Sequence, residues 1–89
     1  MKRVRAYYSG DVQGVGFRFT AVDVARRYGI KGWVRNTPDG GVELTAEAKE
    51  PALDSFLKEI KSAMSRYIRE EKISSEPSTG EFRDFQIRF

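Results

Sequence analysis

The 89-residue chain has no cysteine and no histidine, one tryptophan and three prolines. Without cysteine there is neither a disulfide framework nor a thiolate nucleophile. The missing histidine excludes more: the base of a catalytic triad, a phosphohistidine and the commonest zinc ligand. Any catalysis must therefore run on Arg, Lys, Asn, carboxylates, backbone amides or the substrate itself. Neither a metal nor a cofactor is implied by what remains. No apolar run approaches the ~20 residues that cross a bilayer. The opening MKRVRAYY is charged and lacks a long apolar stretch, so it does not read as a signal peptide. A cytoplasmic protein with no membrane partner is the expectation. Net charge is also scarce, since 16 basic and 13 acidic residues leave +3. That suits an anionic small molecule and is too little to argue for nucleic acid.

A chain this short makes one domain, residues 1–89, with a thin core supplied by six Phe, four Tyr and the single Trp. Val4, Ala6 and Tyr8 alternate with Arg3, Arg5 and Tyr7, the period of a half-buried strand. Phe17, Ala21, Val24, Ala25 and Tyr28 then recur at helical spacing, with Gly29 placed for a left-handed cap. A second strand is predicted over Lys31–Asn36, and a Pro38–Gly41 turn leads into a third. There Val42, Leu44 and Ala46 alternate with Glu43, Thr45 and Glu47. Pro51 opens a second helix, whose apolar stripe is Leu53, Phe56, Leu57, Ile60 and Met64. Tyr67–Ser75 alternates poorly and reads as a short extra strand at most, followed by a loop to Gly80. Phe85, Ile87 and Phe89 mark the last strand. This order predicts an α+β, ferredoxin-like split-βαβ sandwich: two helices packed on one face of a four- to five-stranded antiparallel sheet.

The densest chemical signal is GDVQGVGFR, Gly10–Arg18, where Gly10, Gly14 and Gly16 lead into an arginine. Glycines let successive backbone N–H groups turn toward one point, and a helix starting beside them adds the positive end of its dipole. Arg18 then offers a planar fork that matches phosphate oxygens two at a time. The nucleotide-loop patterns fail, because Val15 and Phe19 stand where glycines are required. A plain strand-to-helix turn with a solvated Arg18 is the competing reading. The second signal is GWVRNTPDGGVE, Gly32–Glu43, with Asn36 where a strand gives way to a turn. On its own, Asn36 is better explained by turn formation.

Taken together, VQGVGFR (Val12–Arg18), ARRYGIKGWVRN (Ala25–Asn36), DGGVE (Asp39–Glu43) and the closing FRDFQIRF resemble the acylphosphatases over essentially the whole chain. The pair VQGVGFR and GWVRN at this separation is far more specific than either alone. The resemblance implies hydrolysis of the carboxyl–phosphate anhydride of acyl phosphates, giving a carboxylate and inorganic phosphate. It assigns phosphate binding to Val12, Gln13, Gly14, Val15, Gly16 and Phe17, substrate binding to Arg18 and water orientation to Asn36. Many members have Gly where this chain has Ala48, and Gly-Pro where it has Ser62-Ala63; both positions lie away from the matched site.

Neither motif contains a general base, and the resemblance implies that a phosphate oxygen of the substrate takes the proton of water. Asp11 is assigned to the turn or to solvent. Thr37 is placed either to fix the Asn36 rotamer or as an ordinary turn residue. Inorganic phosphate is expected as product and competitive inhibitor, and a monomer is expected. Two rivals remain. An RNA-binding domain would use Tyr7 and Phe19 as stacking platforms, but the aromatic-basic signature of that class is absent. A non-catalytic phosphate sensor would share the same loop, although Asn36 points to water positioning.

Overall fold

The computed structural model describes all residues, 1–89. Its elements are β1 (Lys2–Gly10), α1 (Phe17–Tyr28), β2 (Lys31–Asn36), β3 (Val42–Ala48), α2 (Glu50–Ala63), β4 (Ile68–Glu76) and β5 (Phe85–Arg88). The strands form one five-stranded sheet in the order β4-β1-β3-β2-β5. Val4, Ala6 and Tyr8 face the helices together with Val42, Leu44 and Ala46, held in step by the Ala6–Leu44 register. Phe17, Ala21, Val24 and Ala25 of α1 meet Leu53, Phe56 and Ile60 of α2 on that face. Burying each large apolar side chain contributes about 1.5–3 kcal/mol, so this single layer carries most of the favourable free energy.

The helix boundaries follow the sequence signals. Gly29 ends α1 in the left-handed region, and its N–H reaches the Ala25 carbonyl. Pro51 sits in the first turn of α2, where a missing N–H costs nothing.

Two features differ from the expected fold. Tyr67–Ser75 is not a short extra piece: β4 is a nine-residue strand pairing with β1 from Arg3–Glu76 to Gly10–Ile68. Its residues are mostly exposed, so backbone pairing holds it and no hydrophobic alternation announces it. The sheet is mixed and not wholly antiparallel, because β5 runs parallel to β2. After β4, residues 77–84 cross to the far edge of the sheet. Glu47, expected to point outward, anchors this crossing. Its carboxylate is buried and accepts hydrogen bonds from the backbone N–H groups of Thr79 (2.9 Å) and Gly80 (3.0 Å) and from the hydroxyls of Ser78 and Thr79.

Candidate active site

The glycine loop joins the end of β1 to the start of α1. Its backbone has positive φ at Gly14 (77°) and Gly16 (81°), on either side of Val15. These angles are open to glycine without a Cβ clash. Changes of hand along such a loop are how backbone amides form an anion nest. Val12 and Phe17 pin the loop by entering the core, Phe17 against Tyr8 with ring centres 5.0 Å apart. Val15 packs partly against the same core, while Gln13, Gly14 and Gly16 face solvent.

The donors of this loop are uncommitted. No backbone N–H from Val12 through Phe19 bonds to a protein acceptor, and Thr20 is the first to do so, reaching the Gly16 carbonyl at 3.0 Å. Gly16 at the N-cap supplies no capping side chain, and the first turn of α1 holds no acid. The positive end of the helix is thus open to an anion.

Arg18 lies half-buried in that first turn, with its guanidinium carbon 5.4 Å from the ring centre of Phe89. It takes part in no ion pair, whereas Arg3, Arg5, Arg27 and Arg35 all do. Asn36 closes β2 opposite Val42, and its side chain bonds to no other group of the chain. Neither Arg18 nor Asn36 lines a cavity, so they belong to an open surface.

A side chain not expected in this role links the two motifs. Gln13 donates from Nε2 to the carbonyl of Thr37 at 2.8 Å and to that of Gly41 at 2.9 Å. The glycine loop is thereby tied to both sides of the β2–β3 turn, directly beyond Asn36. Nothing local in the sequence marks which distant carbonyls a glutamine will reach.

The turn is tied from a second side. Thr37 donates its hydroxyl to the Asp39 carboxylate and accepts the Gly41 N–H at 3.1 Å. It therefore serves the turn and makes no bond to Asn36. Tyr7 of β1 donates to Asp39 at 2.6 Å, and Gly41 N–H reaches the same carboxylate at 3.2 Å. The Thr37 hydroxyl, then Tyr7 and the Gly41 N–H, hold the Asp39 carboxyl below the usual carboxylate range. The bond to Asp39 in turn raises the Tyr7 hydroxyl. A Cβ on Gly41 would overlap the outer end of the Tyr7 ring, so a glycine here lets that ring lie against the turn.

A sequence profile of the acylphosphatase family matches residues 4–87. The chain belongs to the acylphosphatase family. It is 48% identical over 69 residues to the acylphosphatase of Methanospirillum hungatei, covering 78% of this chain and 76% of that protein. Against the acylphosphatase of Syntrophus aciditrophicus it is 40% identical over 90 residues, 100% of this chain and 94% of the relative. The crystal structure of the Bacillus subtilis acylphosphatase, 32% identical, superposes with a TM-score of 0.91 over 100% of both chains.

As an acylphosphatase, the protein is an enzyme that hydrolyses acyl phosphates. No helix of this acylphosphatase is long and apolar enough to cross a membrane. On the sheet face away from the helices the central strand β3 carries Glu43, Thr45 and Glu47, of which Thr45 and Glu47 are buried, and the Tyr7 hydroxyl is tied to Asp39. Phe19 lies on α1 and not on the sheet.

Proposed function

We propose that the loop amides, Arg18 and Asn36 carry the hydrolysis, with no metal and no protein base. The reading is carried by one observation. The donors from Val12 to Phe19, the Arg18 guanidinium and the Asn36 amide are uncommitted to the protein, and Gln13 ties their two segments together. In this reading the N–H groups of Val12, Gln13, Gly14, Val15, Gly16 and Phe17 hold the nonbridging phosphoryl oxygens. Arg18 bridges two of those oxygens and answers the charge that shifts as the anhydride opens. Asn36 holds the attacking water through its side-chain amide.

The step balances without a further group. The water oxygen attacks phosphorus, the bond from phosphorus to the acyl oxygen breaks, and the carboxylate leaves with the electron pair. One proton of the water stays on the entering oxygen and the other passes to a phosphoryl oxygen, giving dihydrogen phosphate. Phosphoryl transfer asks mainly for positioning and electrostatics, which amides and a guanidinium supply. Such a set of donors repels a cation, so the charge-neutralising role of a metal falls to Arg18.

The test is hydrolysis of benzoyl phosphate in EDTA by wild type, Arg18→Ala and Asn36→Ala. Loss of one preorganised donor costs ~10²–10³ in rate, which sets the expectation for Asn36→Ala. Arg18→Ala should lose more, because it also removes charge from binding. Inorganic phosphate should compete with substrate in wild type and bind more weakly to Arg18→Ala. Full activity in either variant sinks the assignment of that residue.

A further inference from the structure

The sheet face away from the helices holds a cavity of about 400 Å³ lined by Arg5, Trp33, Arg35, Glu43, Arg88 and Phe89. Arg35 and Arg88 stand directly opposite each other in the β2–β5 pair. Like charges facing across strands are destabilising. Both guanidinium groups lean over one indole, lying 5.7 Å (Arg35) and 4.8 Å (Arg88) from the Trp33 ring centre. Attraction to the ring offsets part of their repulsion and holds them on one side of it. Glu43 answers Arg35 through Nε at 2.9 Å and Nη2 at 2.8 Å. Arg5 is paired with Glu76 at 3.4 Å. Arg88 has no carboxylate partner.

We propose that this cavity is a second oxyanion-binding site, which takes a phosphate or carboxylate group of a small molecule between Arg88 and Arg35 above Trp33. An anion there turns a repulsive pair into a shared clamp. Arg88 supplies a complete guanidinium fork, and Glu43 orients Arg35 while leaving its Nη1 toward the ligand. The site is separate from the glycine loop, because Arg35 and Asn36 alternate to opposite faces of β2. Phe89 is the common wall, lining the cavity and lying beside Arg18. The oxyanion has two possible sources, a free solute or the anionic end of an acyl phosphate held at the loop. The second source rests on the function proposed above.

Trp33 is the sole tryptophan, so its fluorescence reports on this cavity alone. The experiment titrates pyrophosphate into the Arg18→Ala protein at fixed ionic strength, with the loop site disabled. A saturable change in emission is expected. Adding Arg88→Gln should raise the dissociation constant tenfold or more. Arg26→Gln, which removes an arginine of α1 away from the cavity, should leave it unchanged. Arg88 is exposed at a sheet edge, and a thermal melt verifies that the variant folds. No saturable change, or equal weakening by Arg26→Gln, overturns the site.

The source is read from kinetics in an otherwise wild-type protein. A KM raised by Arg88→Gln only for an acyl phosphate bearing a free carboxylate assigns the oxyanion to the substrate. An unchanged KM for both that compound and benzoyl phosphate assigns it to a separate solute. Loss of benzoyl phosphate hydrolysis in Arg88→Gln overturns the separation from the loop. Failure of wild type to hydrolyse any acyl phosphate counts against the catalytic reading and leaves the titration standing.

Discussion

The Gln13 amide places two hydrogen bonds on carbonyls that flank the β2–β3 turn. Each such bond is worth about 0.5–1.5 kcal/mol net, and 1.4 kcal/mol is tenfold in rate. Gln13→Ala should therefore lower kcat/KM by about 10–100-fold. Gln13 is exposed, so the fold should persist. The loss should fall mainly on kcat, because the loop still holds phosphate while the segment bearing Asn36 is released. Steady-state kinetics beside phosphate affinity separates these effects; an unchanged kcat would show that the link is not catalytically important. Arg18 and Asn36 were legible in the sequence as candidates, because each sits in a compact motif that carries the family resemblance. The link from Gln13 to the β2–β3 turn, and the bond from Tyr7 to Asp39, were not. Their partners lie 24 or more residues away and depend on strand register.

Strands β1, β2 and β3 and both helices were legible because each buries one regular face of side chains. β4 was not, since a strand on the sheet edge with most residues exposed leaves no period to read. β5 was legible as a strand but its parallel direction was not, because direction depends on the crossing at residues 77–84 and not on the strand's own alternation. Glu47 holds that crossing with Oε1 accepting from Ser78 and Gly80, and Oε2 from both donors of Thr79. In Glu47→Gln one oxygen becomes an NH₂ group facing donors, whichever way the amide turns. Leaving a buried donor unsatisfied costs about 1–3 kcal/mol. In a domain of this size each kcal/mol lowers Tm by about 4–8 °C. Thermal unfolding should show that loss, while a Tm within a degree of wild type would mean that the crossing is held by other contacts.

For the molecule as a whole, stability should have a plateau between its shifted carboxylates and its shifted tyrosines. Burial pushes the Glu47 carboxyl up, but the bonds from Thr79, Gly80 and Ser78 more than reverse this and hold it low. Asp39 is held low as well. Their stabilising contribution is thus complete above the unfolded carboxylate range of about pH 4 and is lost as pH falls through the folded values. Tyr7 and Tyr28 are raised by bonds to Asp39 and Glu59, so their contribution is lost as pH rises beyond about 10. Urea unfolding midpoints should be level from about pH 5 to 9 and fall below pH 4. A midpoint unchanged at pH 3 would sink the carboxylate account. The strand order also has a consequence in time. β1 is flanked by β3 and β4 and has no neighbour in its own vicinity of the sequence. On the ribosome it is made first of the three and waits, on the order of seconds, until both partners have been synthesised.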